Sequence, residues 1–230
     1  MVQYGVFIAH AHEDKVLARK VKDTLDRILE LSPYLAEDYQ LAGENFKERI
    51  MNDIYQSQCF IVFLTENGIE SQWVNQELGY ACRVKKQKRN YRIIPISKSN
   101  LTPKGFITTD TEDFIFLDKY DFETFMANIF IQVRFSIYNA LRQGGLHVVH
   151  YCPSCKDPVG LPLKVTCQLP SHEDYIRTLD SGNTGWRYPC HKCKREISFK
   201  LTTFEQVEAQ GSYRDPFTEQ PFRLDPSRPR

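Results

Sequence analysis

No apolar run in this 230-residue sequence exceeds the six residues from Cys59 to Leu64. A bilayer-spanning helix needs about 20, so membrane insertion is not expected. The opening residues, Met1 to Ile8, lack a charged head, a long apolar segment and a small-residue cleavage site. With no secretory signal visible, the chain is expected in the cytoplasm. An excess of either charge is also missing: 30 basic residues against 29 acidic ones give a net charge of +1. Such balance excludes a general polyanion binder while leaving room for a local patch. Seven cysteines are too few for a disulfide scaffold at this length, and in a reducing compartment they hold metal or fill core. With 41% apolar and 26% charged residues, the composition is that of a globular protein rather than a disordered, collagenous or coiled-coil one.

Residues 1–143 alternate short apolar strands with amphipathic helices. Strands are expected at Tyr4 to Ala9, weakly at Tyr34 to Ala36, and then at Cys59 to Thr65, Tyr91 to Ser97 and Asp113 to Asp118. The run from Cys59 is apolar without alternation, as in a strand covered on both faces. Helices are marked by Leu17, Val21, Leu25 and Ile28, and by Phe46, Ile50 and Ile54. A third spans about Ser71 to Lys86, and the last runs from Phe122 to Arg142 with Phe125, Ile129, Val133, Ile137 and Leu141 in register. Strict alternation predicts an α/β domain: a parallel sheet with helices on both faces, its ligand beyond the carboxyl ends of the strands.

Gly144 and Gly145 end the last helix, and the composition then changes. Residues 147–202 hold five of the seven cysteines and short strand-like pieces such as His147 to His150 and Glu196 to Leu201. The stretch 208–230 is polar, carries four prolines and reads as a tail. Cys152-x-x-Cys155 and Cys190-x-x-Cys193 form two knuckles separated by 34 residues. Together they can place four thiolates tetrahedrally at about 2.3 Å from one zinc ion. The spacing exceeds the usual gap of about 15–20 residues, so an insertion between the knuckles is expected. The pattern resembles a zinc ribbon. Four thiolates close the coordination sphere, so the zinc is structural and leaves no open position for water activation. Cys167, His150 and His191 are read as packing or surface residues. Residues 151–200 contain eight basic and five acidic side chains with no interleaved aromatic platform, which argues against nucleic-acid binding. The basic cluster from Arg83 to Arg89 reads as a solvated helix end.

Three segments carry a family resemblance. Tyr4-Gly-Val-Phe-Ile-Ala-His-Ala-His-Glu-Asp14 resembles the opening strand of TIR domains. Leu41-Ala-Gly-Glu-Asn-Phe46 is similar to their BB loop. Leu64-Thr-Glu-Asn-Gly-Ile-Glu-Ser-Gln-Trp-Val-Asn-Gln-Glu77 is similar to the passage that ends in the family's S-x-W-x-x-x-E element. Ala9 and His12 depart from the usual serines, and Ala42 from the frequent proline. The resemblance covers residues 1–143 and implies a flavodoxin-like five-stranded parallel sheet, followed here by a small zinc-ribbon β domain.

In prokaryotic members the resemblance also implies an enzyme that cleaves the nicotinamide–ribose bond of NAD, giving linear or cyclic ADP-ribose in immune defence or NAD-based signalling. By the same carry-over Glu77 is the catalytic carboxylate, Trp73 joins it, and Ala9, His10 and Gly43 border the substrate. Homo-oligomers through TIR–TIR contacts are implied as well. The chemistry suits a single carboxylate, because nicotinamide leaves NAD as a neutral base and needs no general acid, unlike a sugar alkoxide. One other reading is a non-catalytic TIR adaptor whose zinc ribbon recognises a protein or nucleic-acid partner. Another is a phosphorylated receiver domain, suggested by Asp14 and Lys98; it lacks the aspartate at the end of the central strand, where Thr65 stands.

Overall fold

The computed structural model describes residues 3–36, 46–102, 113–137 and 145–207. The chain divides into two compact units, residues 1–146 and 147–230. The expected loop glycine Gly43 and the tail from 208 lie outside the described residues.

In the first unit, β1 (Tyr4–Ala9) is followed by a single 3-10 turn (His12–Asp14), α1 (Lys15–Leu25) and β2 (Leu31–Leu35). Next come α2 (Phe46–Gln56), β3 (Cys59–Leu64), α3 (Glu66–Glu70), α4 (Gln72–Gln87), β4 (Arg92–Ser97), β5 (Ile115–Phe116) and α5 (Phe122–Ile137). The five strands form one sheet in the order β2-β1-β3-β4-β5, and every pairing is parallel. This is the flavodoxin-like α/β order, which reverses between β1 and β3 and opens a crevice there beyond the carboxyl ends.

β3 is buried along its whole length because both of its faces are covered. Phe7, Ala9, Phe60, Val62 and Leu64 meet Ile50 and Ile54 of α2 and Val74, Leu78 and Ala81 of α4 in one cluster. The alternate residues Val6, Ile8, Ile61 and Phe63 are equally buried, as the two-residue period requires.

The structure shifts several expected boundaries. β2 begins at Leu31 and includes Pro33, which a sheet edge tolerates because one side of the strand needs no ladder donor. α1 stops at Leu25; Ile28 is buried beyond it, in the connection to β2. β5 keeps only Ile115 and Phe116 of the longer run expected. Pro95, inside β4, lies just before Ile96 and Ser97, the two residues that pair with β5.

α3 has no periodic signal in the sequence. It starts where the Thr65 hydroxyl accepts a hydrogen bond from the Gly68 N–H at 3.1 Å. Gly68 packs so closely that a Cβ there would lie 1.9 Å from the Phe63 carbonyl oxygen.

The second unit is mainly β. A hairpin of β6 (His147–Lys156) and β7 (Pro162–Gln168) is followed by α6 (His172–Asp180). β8 (Gly185–Pro189), β9 (Glu196–Lys200) and β10 (Gln206–Val207) then form an antiparallel sheet. The first knuckle lies on a register irregularity of β6, between Tyr151 and Lys156. β7, α6 and β8 occupy the long gap between the two cysteine pairs. Tyr175 of α6 is fully buried and donates its hydroxyl to the Leu201 carbonyl at 2.7 Å.

Candidate functional site

α4 is held at its start by two local devices. The Ser71 hydroxyl accepts from the Val74 N–H at 3.3 Å, and the Asn75 side-chain amide donates to the carbonyls of Ile69 and Ser71, each at 2.8 Å. Trp73 and Glu77 therefore leave the first turns of a fixed helix four residues apart, on one face.

They line a cavity of about 180 Å³ together with Ile8, His10, His12, Ala36 and Phe46. The cavity thus draws on the ends of β1 and β2 and the starts of α2 and α4, beside the crevice that the strand order opens. Phe46 stacks on Trp73 with ring centroids 5.4 Å apart. His10 donates through Nδ1 to the Ala11 carbonyl at 2.8 Å.

Glu77 is the unusual group. It is 4% exposed, and its Oε1 has no hydrogen-bond partner among the described residues. Burial pushes its pKa up to about 8, against the opposing pull of a hydrogen bond from Trp73. A buried carboxyl without a full set of partners is a costly arrangement, and such groups concentrate at ligand sites.

The structure thus gathers Glu77, Trp73 and His10 around one cavity. The Ala9 side chain is buried in the neighbouring core cluster instead. Gly43 lies outside the described residues. The sequence reading did not assign Phe46, His12 or Ala36 to the site. Phe46 had the clearest signal, an aromatic three residues after Gly43 at the mouth of a helix.

The receiver-like pieces are engaged otherwise. Thr65 donates its hydroxyl to Asp14 at 2.6 Å, and Lys98 pairs with Glu66 at 2.8 Å.

In the second unit, the sulfurs of Cys152, Cys155, Cys190 and Cys193 lie within 4.8 Å of one another, with Cys152 and Cys193 3.6 Å apart. Tetrahedral zinc at 2.3 Å from each thiolate implies sulfur separations of about 3.8 Å, so the cluster has the spacing of a metal site. The electrostatics agree. The Cys155 thiol is pushed up to about 12, chiefly by its neighbour Cys193, whereas the backbone N–H of Cys193, seconded by that of Lys192, holds Cys190 down at about 7. Crowded thiolates need a cation, and knuckle amides favour the anion. These four residues can therefore hold a metal ion.

The other nearby candidates stand apart from the cluster. His150 is buried, with Nε2 2.9 Å from the Phe204 carbonyl and Nδ1 3.2 Å from the Tyr188 hydroxyl. Cys167 donates to the Gln168 carbonyl at 3.3 Å, and His191 is exposed. No helix among the described residues is long and apolar enough to cross a membrane.

The family model described as "TIR domain" matches residues 6–129. Similar solved structures include the TIR domain of the Toll-related receptor TRR-2 from Hydra magnipapillata, with TM-score 0.46 and 20% identity over 57% of this chain and 99% of that one. A prokaryotic SEFIR domain has TM-score 0.41 and 15% identity over 68% of this chain and 98% of its own. A 2-desoxiribosyltransferase from Leishmania mexicana has TM-score 0.34 and 16% identity, over 43% of this chain and 67% of that one. No curated protein matches the chain.

Proposed function

The chain belongs to the TIR domain family, and from that membership we propose that it hydrolyses NAD at the nicotinamide–ribose bond, with Glu77 as the catalytic carboxylate. The observation that carries the proposal is the buried Glu77, whose Oε1 is unpartnered among the described residues of a cavity it shares with Trp73 and His10.

In this reading the positively charged nicotinamide ring enters beside Trp73, where an aromatic face favours a cation. Arrival of that charge draws the Glu77 proton off, because a nearby cation stabilises the carboxylate. As the C1′–N bond breaks, its electron pair passes to the ring nitrogen and nicotinamide leaves neutral. The Glu77 carboxylate then faces the sugar cation and its hydroxyls, a preorganised charge where positive charge develops. Water adds to C1′ and loses a proton, giving ADP-ribose; attack by the adenine ring instead gives a cyclic product.

The remaining elements of the proposal are a structural zinc on Cys152, Cys155, Cys190 and Cys193, self-association through the TIR domain, and a cytoplasmic role in prokaryotic defence or NAD-based signalling. When bound, the metal supplies cross-linking of the two knuckles and no open coordination site. Product analysis of NAD incubated with full-length protein at rising concentration tests the reading. Nicotinamide and linear or cyclic ADP-ribose should appear, with specific activity that grows as the protein self-associates. Intact NAD at the highest protein concentration would instead mark a TIR adaptor.

A further inference from the structure

Trp73 and Glu77 also border a second, larger cavity. It measures about 410 Å³ and lies between α2 and α4, floored by Ile50 and Ile54, with Tyr80 on its wall and Lys47 and Arg83 at its edges. The two cavities differ in what they can hold. At 180 Å³ the first is smaller than the roughly 300–1,000 Å³ of sites that enclose a whole ligand. It has room for one end of a dinucleotide, and the second cavity shares Trp73 and Glu77 with it.

We propose that the α2–α4 groove is the subsite for the pyrophosphate and adenosine of the dinucleotide, with Arg83 and Lys47 holding the phosphates. This rests on the reading of Glu77 as the group beside the nicotinamide ribose.

Three observations support it. Trp73, Glu77, Tyr80 and Arg83 recur at helical spacing, so one face of α4 presents an aromatic ring, the carboxylate, a second ring and a guanidinium in line. From Glu77 to Arg83 the helix rises about 9 Å, comparable to the reach from an anomeric carbon to the second phosphorus of an extended dinucleotide. The charge also has the right sign. Glu77 is the one acid bordering the groove among the described residues, and neither Lys47 nor Arg83 has an ion pair among those residues. Arg83 further opens the basic end of α4, which continues through Lys85 and Lys86. With the dinucleotide turning back at its phosphates, the purine lies over the apolar floor and the Tyr80 ring, the flat, greasy contact that such a base takes.

The test is calorimetric titration of full-length protein with ADP-ribose, which carries both phosphates and no nicotinamide, and with adenosine, which carries neither. Wild type should bind ADP-ribose more tightly than adenosine. Arg83→Glu and Lys47→Glu should each weaken ADP-ribose binding about tenfold or more. Lys86→Glu makes the same charge change outside the groove and should alter it by less than about twofold. Equal losses in Arg83→Glu and Lys86→Glu, or equal wild-type affinity for ADP-ribose and adenosine, would overturn the assignment. Nicotinamide release from NAD, measured on the same preparations, separates the two ideas. The expected binding pattern without NAD cleavage keeps the groove and rejects the hydrolase. NAD cleavage with unaltered ADP-ribose binding in the groove variants does the reverse.

Discussion

Phe46 and Trp73 stack at a centroid distance of 5.4 Å and an interplanar angle of 20°. The contact ties the first residue of α2 to the second residue of α4, beside the carboxylate of Glu77. Trp73 nonetheless remains 37% exposed, so the ring braces Phe46 while keeping surface free for a ligand.

Trp73 should therefore act in both roles. Trp73→Ala should cost about 1 kcal/mol of stability from the lost ring pair and raise the KM for NAD. Trp73→Phe should restore the stability but only part of the KM. Urea unfolding and steady-state kinetics on the same preparations check this. A KM unchanged in Trp73→Ala would confine the ring to packing.

Burial of Glu77 has a consequence for stability. Its folded pKa of about 8 lies above the ordinary glutamate value of about 4.3, so between them the folded chain holds a proton that the unfolded chain has released. Wild-type stability from this group is full below the lower value and is lost as pH rises through the upper one. Glu77→Gln removes that loss. The variant should exceed wild type by little near pH 5 and by an amount on the order of a few kcal/mol near pH 8. Thermal unfolding of both proteins at the two pH values measures it, and a pH-independent difference would contradict the buried titration. Catalysis that needs the carboxylate should show kcat/KM for NAD rising with pH through the same region.

The thiol cluster predicts one zinc per chain by elemental analysis. Chelation under denaturant, or replacement of Cys190 and Cys193 by serine, should unfold the 147–230 unit, because a structural zinc contributes folding energy directly. A metal-free preparation with unchanged unfolding would reject the site. If the second unit serves assembly or partner recognition, the same variant should also change the assembly state or activity of the full chain. Its being unchanged in folding, assembly and activity would reject that role.

Much of the first unit was legible because buried parallel strands give unbroken apolar runs and covering helices give clean three- and four-residue spacings. Cys59 to Leu64 and the α2 residues Phe46, Ile50 and Ile54 are examples. β2 was harder to read, since Pro33 in the sequence suggests a turn and only the edge position makes it acceptable. α3 depends on one hydroxyl cap and one close glycine contact, and no periodic pattern announces either. The cysteine spacing pointed to a shared metal site, but not to the helix and strands that fill the gap between the pairs. At the candidate site, Glu77 and Trp73 could be named from their motif. The groove beyond them could not, because it forms only when stripes of α2 and α4, about 30 residues apart in the chain, come to lie side by side.

The central claim is most directly tested by the rate of nicotinamide release from NAD by wild type and Glu77→Gln, with circular dichroism establishing that both are folded. Wild type should release nicotinamide, and the variant should do so about 100- to 1,000-fold more slowly, the usual loss when a preorganised charge is removed. Equal rates in the two proteins, or no release by wild type at any protein concentration, would contradict the account.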